Sequence, residues 1–381
     1  MPRRRPALTL DHPLQRAALG TLLLGIVLVV VAAVAQSLMR PAEQRVVVNL
    51  LISIIAVVGI GIYSGNTGIV SFGHVSLMGV AAYTTGLLTM SPTVKASSLP
   101  HLPTWLASVQ LEILPAVAAT IVVTTVVAIV LGLPVSRLAV SAASIGTLGV
   151  LVIVNVVMVG AVDLTRGSQT FYGVPTVTDI PIALVGAILA IAVARVFRES
   201  VAGLRLRASR EDELASRSMG VDVENLRLLA WVVSGAVVGL AGALLAHSLG
   251  AFSPKEFYFG LTFALLAMLI VGGTTTVSGA VGGTLLVSLL IELVRRVENG
   301  ATIGPFQLPP LFGLTEVVLG LVILLVMYRR REGLLGRREI DEWVMGWRRA
   351  RQVPAEIDAR GSDDLVSPRP RESTQNSEKR A

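Results

Sequence analysis

The stretch Arg198–Arg227, RESVAGLRLRASREDELASRSMGVDVENLR, holds alternating charge in the middle of an otherwise apolar chain. Arg198, Arg205, Arg207, Arg210, Arg217 and Arg227 stand beside Glu199, Glu211, Asp212, Glu213, Asp222 and Glu224, so the segment is close to neutral. A patch made for lipid headgroups carries one sign. Mixed charge reads instead as a shaped helical surface in water that meets another protein. Local signals give it form. Ser209 caps a helix, with Glu211 and Asp212 in its positive first turn. That helix runs to Met219, and Gly220 suits the left-handed position after it. Asp222 caps a second helix, with Val221 and Leu226 placed as a hydrophobic staple. Leu214, Ala215, Ser218 and Met219 share one helix face. A capped helix, a glycine stop and re-entry into an apolar run make a rigid knob, which a solvated linker would not need.

On both sides the chain is built for lipid. Apolar residues make up 53% of the 381 and charged residues 15%, against about 25% charged in a soluble domain. Runs near the ~20 residues that cross a bilayer recur, and ten spans fit, at 18–38, 46–63, 69–90, 112–134, 139–160, 181–197, 228–249, 258–273, 277–297 and 312–328. The fold class is therefore an all-α, polytopic helical membrane protein with about ten transmembrane helices. The apolar run Ala17–Ala35 exceeds a signal-peptide core and is expected to stay attached as the first span. With both termini cytoplasmic, Arg40, Arg45, Lys95, Arg166, Lys255, Arg295 and Arg296 fall outside and the other 25 of the 32 Lys and Arg fall inside, as the positive-inside bias requires. That bias also accounts for the net charge of +7 without invoking nucleic acid. Four segments follow: a cytoplasmic N-terminal segment at 1–17, a membrane domain at 18–331 with the charged loop 198–227, an amphipathic helix at 332–352, and a disordered tail at 353–381. The amphipathic helix rests on Ile340, Trp343, Val344 and Trp347 at i, i+3, i+4, i+7, with Arg337, Arg338, Arg348 and Arg349 nearby.

The third span is odd. Ser64-Gly65-Asn66-Thr67-Gly68 interrupts it, and Ser71, Gly73, His74, Ser76 and Gly79 follow at membrane depth. Such backbone survives only inside protein or along a water-filled path. For Asn66, Ser71, His74 and Ser76 together, a path-lining or gating role stands beside structural hydrogen bonding. Gly61-x-x-x-Gly65, Gly235-x-x-x-Gly239 and Gly279-x-x-x-Gly283 read as close helix packing. Glu112, Glu292 and Glu316 read as structural: Glu292 is one turn from Arg295 and Arg296, and Glu112 and Glu316 sit at span ends. Pro175 and Pro181 bracket an outer segment, and Pro305, Pro309 and Pro310 mark another.

Enzymatic chemistry is missing. A phosphate loop needs a lysine after glycine, but the three lysines follow Val94, Pro254 and Glu378. No H-E-x-x-H or G-x-S-x-G occurs, no cysteine is present, and His12, His74, His101 and His247 are scattered. No metal site, cofactor or catalytic cluster is expected. An ion-coupled secondary transporter using a carboxylate such as Glu292 remains the competing class.

Three stretches carry a family resemblance. Tyr63–Tyr83, YSGNTGIVSFGHVSLMGVAAY, resembles the glycine-rich segment of permeases of branched-chain amino-acid ABC importers. Leu164–Pro175, LTRGSQTFYGVP, resembles the outer loop of the M-type member of the permease pair. Arg210–Ala246 is similar to the family's cytoplasmic loop and following helix. The resemblance implies a bacterial inner-membrane permease in a heterodimer with a sister permease, served by two ATP-binding subunits and an extracytoplasmic solute-binding protein. It implies that Ser209, Arg210, Glu211, Glu213, Leu214, Ala215 and Gly220 form the loop that docks into the ATPase. Ile69 stands where glutamine is common, and Arg166 and Thr170 replace glycines. Glu213-Leu214-Ala215 precedes its glycine by one residue more than the general importer pattern. These departures touch the substrate more than the mechanism, since family relatives carry urea, other amides or sugars.

Overall fold

A computed structural model describes residues 13–298, 302–303, 306–307, 313–330, 333–336 and 339–341. The loop prolines Pro305, Pro309 and Pro310, the tail 353–381 and Trp343, Val344, Trp347, Arg337, Arg338, Arg348 and Arg349 lie outside the described residues. In chain order the helices are α1 (Pro13–Leu38), α2 (Pro41–Thr67), α3 (His74–Thr89), the short α4 (Pro92–Ser98) and α5 (Thr104–Ala107), α6 (Ile113–Ser136), α7 (Val140–Gly160) and the single turn α8 (Val162–Thr165). There follow α9 (Ile180–Glu199), α10 (Val201–Glu211), α11 (Glu213–Ser218), α12 (Val223–Leu249), α13 (Phe259–Gly272), α14 (Val277–Glu298) and α15 (Leu314–Arg329). Two-residue strands β1 (Phe171–Tyr172) and β2 (Ala251–Phe252) pair antiparallel, as do β3 (Thr302–Ile303) and β4 (Phe306–Gln307). Among the described residues, eight helical stretches are long and apolar enough to cross a bilayer. The shorter α3 and α15, of 16 residues each, occupy the third and tenth expected spans. The chain is a multi-pass helical membrane protein.

Its centre is α12, which packs against α2, α3 and α6. Without a hydrophobic force between helices in lipid, such contacts rely on small residues and interhelical hydrogen bonds, and α12 supplies both. A methyl on Gly235 would come within 2.8 Å of Ala128 on α6, and one on Gly239 within 3.1 Å of Thr124. Gly242 lies against the Met78 carbonyl of α3, and Ser234 Oγ donates to the Gly59 carbonyl of α2 at 2.6 Å. The outer faces of α6 and α7 expose Val122, Val126, Val130, Ile153 and Val156, an apolar surface suited to lipid.

We call the side carrying α10 and α11 the loop face. The segment after α15 returns along it. Leu334 and Leu335 donate their backbone N–H groups to Val271 and Gly272 at the end of α13. The buried Glu339 carboxylate then caps α14, accepting from Val277 N (2.9 Å), Ser278 N (3.1 Å) and Ser278 Oγ (2.6 Å). It also pairs with Arg195 at 3.0 Å and Arg198 at 3.1 Å on α9. Arg195 in turn donates to the Arg16 carbonyl of α1, and Gly20 leaves room for its guanidinium. This strap overturns part of the amphipathic-helix expectation. Gly333 and Gly336 have φ of 80° and 65°, so the start of that segment is a turn.

On the opposite face, β1–β2 ties the segment before α9 to the end of α12, and Tyr83, Phe171, Phe252 and Phe257 form one aromatic cluster. Arg166 adopts φ 64°. Its guanidinium donates to the Thr170 carbonyl (2.7 Å) and lies 4.6 Å from the Tyr172 ring centroid. These contacts offset the left-handed strain of about 1–2 kcal/mol.

Candidate functional site

The charged loop folds into two helices, not one. Ser200 caps α10, its side chain accepting from Gly203 N at 3.1 Å. Ser209, expected as a cap, sits near the end of α10, buried, with its hydroxyl donating to the Leu206 carbonyl at 2.8 Å. The cap of the second helix is Asp212, extended at φ −148° and accepting from Ala215 N at 2.9 Å. The sequence offers Ser and Asp three residues apart; Leu206, fully buried, anchors α10 to the bundle and carries the first helix through Ser209. Glu211 therefore ends α10 and Asp212 does not lie in a first turn.

The stop and the re-entry fall where expected. Gly220 has φ 79°, with Gly220 N bonded to the Arg217 carbonyl and Val221 N to the Ser216 carbonyl, the paired bonds of a Schellman motif. Asp222 caps α12 through Asn225 N at 3.2 Å. Glu213 clamps the knob to the bundle, accepting from Arg217 (3.0 Å) and from the buried Arg227 on α12 (2.6 Å). Burial raises the Glu213 carboxyl pKa, but the hydrogen bonds from Arg227 and Arg217 overcome this and hold it below the ordinary carboxylate range. Leu214 and Met219 project from this clamped turn, 78% and 85% exposed.

Arg210, on the last turn of α10, reaches the broken segment. Its guanidinium donates to the Gly65 carbonyl of α2 at 3.1 Å, and its side chain covers Gly68. The break is later than the sequence suggests: Ser64–Thr67 form the last turn of α2, Gly68 (φ 75°) stops it, and α3 opens at His74. Protein groups satisfy much of the exposed backbone, as membrane depth demands. Thr67 Oγ1 accepts from Ile69 N (3.1 Å), and Thr147 Oγ1 of α7 accepts from Phe72 N (3.2 Å).

The four polar residues singled out here are all buried, and only two meet. Ser71 Oγ lies 2.7 Å from His74 Nδ1. Asn66 Nδ2 donates to the Ile62 carbonyl (2.7 Å) and Ser76 Oγ to the Gly73 carbonyl (2.6 Å). Two residues that the sequence reading missed complete the joint. Trp231 of α12 stands 4.4 Å, centroid to centroid, from His74, and Tyr63 of α2 stands 5.3 Å from Trp231. The available signal was Arg227 and Trp231 one turn apart where α12 begins.

Glu292 pairs with Arg296 at 3.0 Å, the more distant of its two expected partners. Glu112 is the N-cap residue of α6, while the Glu316 side chain lies outside the described residues. On the opposite face, a polar cavity of about 430 Å³ is lined by Gln44, Arg45, Thr178, Asp179, His247 and Ser248, with other residues.

Residues 44–327 match the family described as branched-chain amino acid transport system / permease component. The chain is 30% identical over 133 residues to the high-affinity branched-chain amino acid transport system permease protein LivM of Escherichia coli, covering 35% of this chain and 28% of that protein. It is 33% identical over 125 residues to the probable branched-chain amino acid transport permease protein LivH of Methanocaldococcus jannaschii, covering 33% and 36%. It is also 29% identical over 135 residues to the guanosine ABC transporter permease protein NupP of Bacillus subtilis, covering 35% of each. The chain thus matches about a third of the length of these relatives.

Proposed function

The chain belongs to the branched-chain amino acid transport permease family, and from that premise we propose that it is the non-catalytic, membrane-spanning subunit of an ATP-driven importer in a bacterial inner membrane. In this reading the loop face is cytoplasmic, and α11 is the fitting for a separate ATP-binding subunit. The observation that carries it is the exposure of Leu214 and Met219, 78% and 85%, on a helix turn stopped by Gly220 and clamped by Glu213. A large apolar side chain in water forgoes about 1.5–3 kcal/mol of burial, and a rigid turn presents two of them without the entropy cost of ordering on docking.

The transport cycle then follows from rigid-body coupling. Closure of the ATP-binding subunits displaces α11, the bundle rocks, and the path changes from outside-facing to inside-facing. The burial of Asn66, Ser71, His74 and Ser76 supports their assignment to a closed gate at the α2–α3 break. The polar cavity on the opposite face supports delivery from that side by a solute-binding protein. A sister permease supplies the other half of the path. The Glu292–Arg296 pair argues against an ion-coupling carboxylate there.

Two measurements test this reading. The double variant Leu214→Ala, Met219→Ala is expected to bind the ATP-binding subunit at least tenfold more weakly, with thermal unfolding of the permease unchanged. Normal recruitment would remove the docking role. The substrate is proposed to be a branched-chain or related hydrophobic amino acid. Calorimetry on the partner solute-binding protein should show leucine, isoleucine or valine binding in preference to guanosine, urea or xylose, and the reverse order would reassign the cargo.

A further inference from the structure

A continuous line of contact runs from the knob to the break in the bundle. Glu213 opens α11 and holds Arg227 at 2.6 Å. Arg227 is only 3% exposed and also donates to the Leu138 carbonyl at 3.4 Å, so displacing Glu213 leaves its charge without a counter-ion in a dry site. One helical turn on, Trp231 projects from the same side of α12. Its indole meets Tyr63 edge-on from the end of α2 and His74 from the start of α3. The ring therefore fills the joint between the two helices. The space around it is closed. A methyl on Gly73 would approach Trp231 Cη2 to 3.1 Å, and one on Gly132 of α6 would approach Cδ1 to 2.5 Å. In so tight a site the indole cannot shift without moving its neighbours, because packed interiors transmit displacement. Arg210 grips the other end of the same break through the Gly65 carbonyl.

We infer that Arg227 and Trp231 are positioning residues that carry movement of α11 to the α2–α3 joint, so that the state of the ATP-binding subunit is read at His74. The inference rests on the proposed docking role of α11. Neither residue touches the partner in this scheme; they connect two regions that the sequence keeps about 150 residues apart.

The test uses the whole importer in proteoliposomes, with solute uptake and ATP hydrolysis measured together. Trp231→Phe keeps an apolar ring but not the bulk that spans the joint. Arg227→Gln removes the charge that answers Glu213, and Arg227→Lys restores it. Trp231→Phe and Arg227→Gln are expected to assemble and hydrolyse ATP normally while solute moved per ATP falls about tenfold, the size of a typical coupling energy. Arg227→Lys is expected to recover most of that loss, which a purely structural role for the arginine's bulk would not produce. Unchanged transport per ATP in both variants overturns the inference, and so does a parallel fall of uptake and hydrolysis. If Trp231→Phe fails to assemble, the arginine pair decides: equal behaviour of the Gln and Lys variants overturns it, and rescue by Lys supports it. The Leu214→Ala, Met219→Ala variant separates the two readings. Normal recruitment there removes the docking role itself, whereas lost recruitment with full coupling in Trp231→Phe removes only the relay.

Discussion

Gly283→Val is expected to leave almost no folded permease that can be extracted from the membrane. The α13–α14 crossing is backbone against backbone. A methyl on Gly283 would lie 2.2 Å from the Met268 carbonyl oxygen and 2.5 Å from Gly272 Cα, and one on Gly272 would lie 2.0 Å from the Gly279 carbonyl oxygen. Overpacking a core costs about 1–3 kcal/mol when side chains can turn aside. Here the obstruction is main chain, so the two helices must separate and lose the contact that small residues permit. Gly320 on α15 is the control, because nothing lies within 4 Å of its added methyl. Gly320→Val should extract and unfold like the parent. Equal yields for both valine variants, measured by detergent extraction and thermal unfolding, would contradict this account of the crossing.

Glu339→Gln is expected to cost about 3–5 kcal/mol, the usual penalty for removing one partner from a buried ion pair. The amide keeps the shape but leaves Arg195 and Arg198, with side chains 1% and 14% exposed, without their counter-charge. The same site predicts a pH dependence. Burial raises the Glu339 carboxyl pKa, but the charges of Arg195 and Arg198 and the hydrogen bonds from Ser278 and Val277 outweigh it, so the group sits below its ordinary value. A carboxyl lowered in the folded state contributes stability that is full above its unfolded pKa and lost as pH falls through the folded one. The unfolding temperature of the parent should therefore drop steeply through the acid range, while that of Glu339→Gln, lower at neutral pH, should drop less, so that the two converge in acid. Parallel pH slopes would remove Glu339 from the explanation.

Much of the fold was legible because spans are decided by averages over about twenty residues. The fourth span, expected at 112–134, is Ile113–Ser136, and the ninth, expected at 277–297, is Val277–Glu298. Gly220 and Asp222 were legible because a left-handed stop and a cap are decided by a few neighbouring residues. Ser209 was misread for a related reason. Ser and Asp are comparable caps, and the choice was made by Leu206 burying its side chain in the bundle, which local sequence does not encode. The Arg195–Glu339 and Trp231–His74 contacts were not legible at all, since each joins residues that only the finished topology brings together.

The shortness of α15 has a consequence for the surrounding lipid. Sixteen residues rise about 24 Å at 1.5 Å each, less than the ~30 Å hydrocarbon thickness of an ordinary bilayer. Val317, Leu321, Leu324 and Leu325 are exposed along it, an apolar surface suited to acyl chains. By contrast α1, with 26 residues, rises about 39 Å and must tilt. The mismatch with an ordinary bilayer thus has opposite sign at α15 and at α1, and each calls for a different deformation of the lipid beside it. In the proposed cycle, acyl-chain length would then act on the rocking of the bundle: short-chain lipids relieve the mismatch at α15, and long-chain lipids load it.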